Sequence, residues 1–167
     1  HLGIDWPDDP HEALWHACTL LREHRGDGYV TACVVHDMTA LDMMLLAERL
    51  GRVPSGHAAV NRGWSDEAIE AQADSLRSRG LLDASGVPTA HAQARRIEIE
   101  ALTDRLAAGA WHRLDPAELR AVHGRMAAMA AGIAARGWIT YPNPVGLEPP
   151  TGLGRPDAEV DGITPAR

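Results

Sequence analysis

Between Thr39 and Gly51 the chain reads TALDMMLLAERLG. Thr39 and Asp42 have the spacing of a capping box, with Asp in the place more often held by Glu, so a helix starts at Ala40. Leu41, Met43, Met44, Leu45, Leu46 and Leu50 cover most of its circumference. A helix that is apolar nearly all round is stable only when other elements surround it. This one segment commits the chain to a core of several helices.

The other caps and stops supply those helices. Asp9 caps a helix predicted over 10–25, and Pro10 fits its first position. Leu14, Cys18 and Leu21 repeat on one face, with Ala17 beside them. Gly26 suits the place just past that helix, and Asp27 then caps a second one over 28–36. After the apolar helix, GRVPSGHAAVNRGW reads as a long loop with one helical turn. Ser65 caps a helix reaching Arg79. Asp66 and Glu67 lie at its positive end, and Ile69, Ala73 and Leu76 face inward. LLDASGVPT reads as a hairpin of two short strands turning at Ala84-Ser85-Gly86. A long helix follows over 90–108. Asp115 and Pro116 open a last one, which Gly137 closes. Its apolar face is Leu119, Val122, Met126, Met129 and Ile133. From residue 140 onward Pro and Gly recur without period, which predicts an extended, partly disordered tail. The fold class is mainly α. A winged helix-turn-helix spans 1–139, with a small two-stranded wing and two long C-terminal helices, and a Pro/Gly-rich tail spans 140–167.

Composition narrows the function classes. At 167 residues the chain holds one ordinary domain with a core. No apolar run is long enough to span a bilayer, and no basic-then-apolar leader is visible, so a cytoplasmic location is expected. The first residue is His1 rather than Met, so a preceding segment is expected. Every basic residue is Arg, as in the translation of a GC-rich genome. A net charge of -7 disfavours nonspecific attraction to nucleic acid or to anionic membranes. Cys18 and Cys33 form no CxxC pair and read as reduced thiols. The chain has no GxSxG, P-loop or GxGxxG, and no Cys-His cluster with zinc spacing, so neither a cofactor nor a metal is expected.

Three helices, a fourth helix, a wing and two long helices follow the order of MarR-type regulators. The segment ADSLRSRGLLDASGVPTAHAQARRIEIEALTDRLA carries that resemblance. Leu76, Gly80, Leu81 and Thr89 match the end of a MarR recognition helix and its wing. Pro88 replaces the usual Leu, and His91 or Gln93 stands where Gly is common. The segments WPDDPHEALWHACTLLREHRGDGYV, RGWSDEAIEAQADSLRSRGLLDASG, RIEIEALTDRLAAGAW and YPNPVGL resemble an actinobacterial family of helix-turn-helix proteins of unknown function. Members of that family are longer, and this chain is similar to their C-terminal part. The resemblance implies a fold and supplies no reaction. It also implies that the first and last two helices form a homodimer or pack on the missing N-terminal segment.

The expected recognition helix argues against DNA. Between Ser65 and Arg79 it carries Asp66, Glu67, Glu70 and Asp74 against Arg77 and Arg79, and the wing from Asp83 to Thr89 has no Arg. A helix laid in a major groove needs a positive or neutral face near phosphates. A helix-turn-helix also joins its helices by about 3–4 residues, and the gap before Ser65 reads as far wider.

Three polar groups remain as candidate sites. Glu12, His16, Thr19 and Glu23 share one helix face, where a metal or a solvated surface are the readings. His24, Arg25 and Asp27 surround Gly26, where two titratable groups and a helix N-terminus converge on a corner suited to an anion. His57, Asn61, Arg62 and Trp64 lie on the long loop, a frequent place for ligand contacts. The leading expectation is a small polar or anionic ligand held by His16, His24, Arg25, Asp27, His57, Arg62 and Trp64. The alternatives are a ligand-responsive regulator that binds DNA, and an enzyme with His16 or His24 as general base.

Overall fold

A computed structural model describes residues 3–141 and 143–147. The described residues form six α-helices: α1 (Pro10–Val35), α2 (Ala40–Arg49), α3 (His57–Arg62), α4 (Asp66–Ser78), α5 (Ala90–Ala107) and α6 (Pro116–Ala135). A short 3-10 turn, Ala108–Trp111, follows α5.

α2 is the buried helix its composition requires. Thr39 and Asp42 form the capping box, and Leu41, Met43, Leu45 and Leu46 are buried. Ala73 and Leu76 of α4 and Leu81 and Leu82 beyond it join the same core. Ala32 and Cys33 of α1 and Ala92 and Ile99 of α5 complete it, and α1 packs along α5.

The helix break expected at Gly26 does not occur. α1 runs without interruption from Pro10 to Val35, and Asp27 caps nothing. Its backbone carbonyl accepts from the Thr31 hydroxyl at 2.9 Å, inside the helix. A glycine in a helix interior costs about 1 kcal/mol, and packing against α5 offsets it. A Cβ on Gly28 would lie 3.2 Å from Leu106 Cβ and 3.6 Å from the Thr103 carbonyl. Gly28 is therefore the point of close approach between α1 and α5. The helix stops instead at His36, and Asp37 follows in a left-handed conformation with φ 53°.

The expected two-stranded wing is also absent among the described residues. Only a single antiparallel bridge, Leu82 to Pro88, spans the turn. The Leu81 and Leu82 N–H groups donate back to the Leu76 carbonyl at 2.9 and 3.3 Å, closing α4 rather than extending a ladder. The Asp83 carboxylate and backbone N–H instead close the turn on Val87, each at 2.9 Å.

The long gap before Ser65 is not empty. It contains α3, and only Gly63, Trp64 and Ser65 separate α3 from α4. Gly63 takes a left-handed conformation, φ 71°, to end α3. This spacing is that of a helix-turn-helix and overturns the objection drawn from loop length.

α6 has the predicted caps, Asp115 and Glu118 in a capping box, but buries little. Only Ala131 is buried, while Leu119, Val122, Met129 and Ile133 are exposed. Of the tail expected over 140–167, residues 142 and 148–167 lie outside the described residues. Asn143 is buried and closes a turn: its side-chain oxygen accepts from Val145 and Leu147 N–H, each at 3.1 Å. Gly146 of that turn packs on the Arg52 carbonyl and Val53.

Candidate functional site

A groove of about 1190 Å³ opens between α1, α2, α3 and α5. That is somewhat more than the ~300–1,000 Å³ of typical small-molecule sites. Its apolar wall includes Leu21 and Cys33 of α1, Met43, Met44 and Ala47 of α2, and Trp111. Pro144, Val145 and Gly146 close one side. The charged residues around it are Arg22, Arg25, Arg52, Arg62 and Arg96 against Asp37 and Glu100.

The helices fix these side chains in different ways. Arg25 reaches from α1 to α5, donating to Glu100 at 2.9 Å and to Asp104 at 3.3 Å. The hydrogen bond to Glu100 holds the guanidinium in its charged form. Arg96 stands 3.7 Å from the same Glu100 carboxylate, one turn away on α5. Burial raises the Tyr29 phenol above its ordinary range, so it stays a hydrogen-bond donor near neutral pH. Burial likewise raises the adjacent Cys33 thiol, keeping it neutral and a poor nucleophile.

α3 enters the groove wall through His57, which is only 4% exposed. The Asn61 amide lies 3.0 Å from its Nδ1; with the amide donating, the ring proton is on Nε2. Too short to be stable alone, α3 is held by α2. The Glu48 carboxylate accepts from Gly56 N–H at 3.1 Å and Ala58 N–H at 2.6 Å, supplying the cap that Gly56 lacks.

Of the sequence-derived candidates, His24, Arg25, His57 and Arg62 all line this groove. His16, Asp27 and Trp64 are not among its lining residues. His16 instead meets the Trp6 ring edge-on at 5.0 Å. Trp64 is partly exposed in the turn before α4. The corner around Gly26 has no helix N-terminus, because α1 is continuous, so it offers no free backbone donors to an anion. Sequence reasoning passed over Tyr29, Arg52, Arg96 and Glu100. The i, i+4 spacing of Arg96 and Glu100 was the one available signal.

A second polar cluster joins α2 to α4. The Asp42 carboxylate is fully buried and accepts from Thr39 N–H at 2.9 Å, Gln72 Nε2 at 2.7 Å and Arg79 Nη1 at 2.9 Å. Burial pushes its carboxyl up, but these hydrogen bonds together outweigh burial and leave it below its ordinary value. Arg79 also donates to the Asp37 carbonyl at 2.6 Å.

α3, the Gly63–Ser65 turn and α4 thus form a helix-turn-helix unit locked onto α2. The chain matches the Helix-turn-helix family over residues 1–140. It belongs to that family. No curated protein and no solved structure matches it.

In this Helix-turn-helix family member the second helix of the unit, α4, turns carboxylates outward. Asp66, Glu67, Glu70 and Asp74 are exposed. Arg77 is bound to Asp74 at 2.5 Å, and Arg79 is held by Asp42. No single helix among the described residues is long and apolar enough to cross a membrane.

Proposed function

We propose that this helix-turn-helix protein binds a small polar or anionic molecule in the groove between α1, α2, α3 and α5. One observation carries the reading: two pairs of residues singled out from sequence, His24 with Arg25 and His57 with Arg62, lie on separate helices and line one large groove. The acidic α4 face supports a use of the domain other than wrapping a polyanion. In a thermal-shift screen of metabolites, at least one ligand class raises the melting temperature of the wild type. Ala47→Trp, which fills the groove from α2, removes that rise while leaving the unliganded protein folded. A screen with no stabilising ligand overturns the proposal.

A DNA-binding regulator of the MarR type is the second reading, favoured by the three-residue turn between α3 and α4. The match to the Helix-turn-helix family over residues 1–140 supports the same reading. Salt-sensitive retardation of genomic DNA fragments at low salt, lost in Arg62→Ala and Arg77→Ala variants, decides for it. The proposal includes a second copy of the chain as partner, covering the exposed Leu119, Val122, Met129 and Ile133 face of α6.

A further inference from the structure

The charge of the groove runs against the charge of the chain. The protein carries 23 acidic and 16 basic residues. Around the groove the balance is reversed, with five arginines against Asp37 and Glu100. Three of the arginines already have partners. Arg22 pairs with Glu23, and Arg25 and Arg96 share Glu100. Arg52 and Arg62 have no ion-pair partner among the described residues. They flank α3, one on the connection from α2 and one in the last turn. Both line the same groove as Met43 and Met44, whose flexible thioethers adapt to irregular apolar bodies.

We infer that the groove takes an amphipathic carboxylate, with its apolar body along Met43, Met44 and Ala47 and its head at Arg52 and Arg62. This rests on the groove being a ligand site. Two features favour a carboxylate head. Guanidinium groups match carboxylates in a bidentate fork. The groove already holds one carboxylate between two guanidinium groups, Glu100 between Arg25 at 2.9 Å and Arg96 at 3.7 Å, each through one nitrogen. A neutral ligand of the same shape leaves both arginines unpaired, and a cation meets their repulsion.

Titration calorimetry with octanoate, octanol and octyltrimethylammonium tests the class. Octanoate binds saturably, and octanol binds about tenfold or more weaker, the difference made by a charge-assisted contact. The ammonium does not bind. Arg52→Ala and Arg62→Ala each weaken octanoate several-fold and leave octanol unchanged; both positions are exposed, so the fold is retained. Ala47→Trp abolishes binding of both. Equal binding of octanoate and octanol, both lost in Ala47→Trp, overturns the carboxylate and leaves the groove as a site. Octanoate binding indifferent to Arg52 and Arg62 overturns the placement of the head. Binding unaffected by Ala47→Trp, or no binding of any probe, overturns the groove itself.

Discussion

Gly26 and Gly28 occupy the same helix and differ in what surrounds them. A Cβ on Gly26 meets nothing within 4 Å, whereas one on Gly28 meets Leu106 Cβ at 3.2 Å. Gly26→Ala therefore stabilises the protein by about 0.5–1 kcal/mol, through helix propensity and a less flexible unfolded chain. Gly28→Ala destabilises it by about 1–3 kcal/mol, because α1 and α5 must part. Urea unfolding of the two variants checks both signs. Asp42 gives a pH prediction. Its folded carboxyl is held below 3.8, so its contribution to stability is fully present above that value. The contribution is lost as the pH falls through the lower folded value. The gap in melting temperature between wild type and Asp42→Asn should hold above about pH 5 and narrow as the pH falls below about 4. A constant gap would show that the buried carboxylate, though ordered, is not linked to folding. Both residues were visible in the sequence, but only half of what they do was. Gly26 looked like a stop because stops and tolerated interior glycines share one residue type. Asp42 was read as a cap, and its bonds to Gln72 and Arg79 come from a helix some thirty residues on.

The caps of α2, α4 and α6 were legible at the scale of elements, because Thr39, Ser65 and Asp115 lie beside the N–H groups they satisfy. α3 was legible only as one turn inside a loop. Its cap is Glu48, on the preceding helix, and local patterning holds no sign of such a partner. Glu48→Ala should cost about 1–2 kcal/mol. It should also raise hydrogen exchange across 57–62 while α2 and α5 stay protected. The wing failed as a prediction for a local reason that was open to view. After the helix stop at Gly80, Leu81 N–H turns back to the Leu76 carbonyl, so two apolar dipeptides around a turn yield one bridge.

For the whole molecule, the groove depends on where the helices cross. α1 brings Arg25 and Tyr29, α2 the methionines, α3 His57 and Arg62, and α5 Arg96 and Glu100. No stretch of sequence contains that set. The exposed apolar face of α6 sets a prediction at the same scale. Light scattering should give twice the 18.0 kDa chain mass, falling to the monomer in a Val122→Glu, Met129→Glu variant. A monomeric wild type removes the second copy as the partner of α6.

The sequence by itself determined that the chain is mainly helical, where α2, α4, α5 and α6 begin, and that α2 is buried. Those features follow from side chains acting on backbone groups within a turn, or from the periodicity of apolar residues. Tertiary structure decided the rest. It made α1 one helix rather than two, because α5 packs on Gly28. It turned a loop into the first helix of the helix-turn-helix, because Glu48 caps it from outside. It gathered arginines from α1, α3, α5 and the connection after α2 around one groove, because long-range packing, which no local pattern encodes, sets where helices meet.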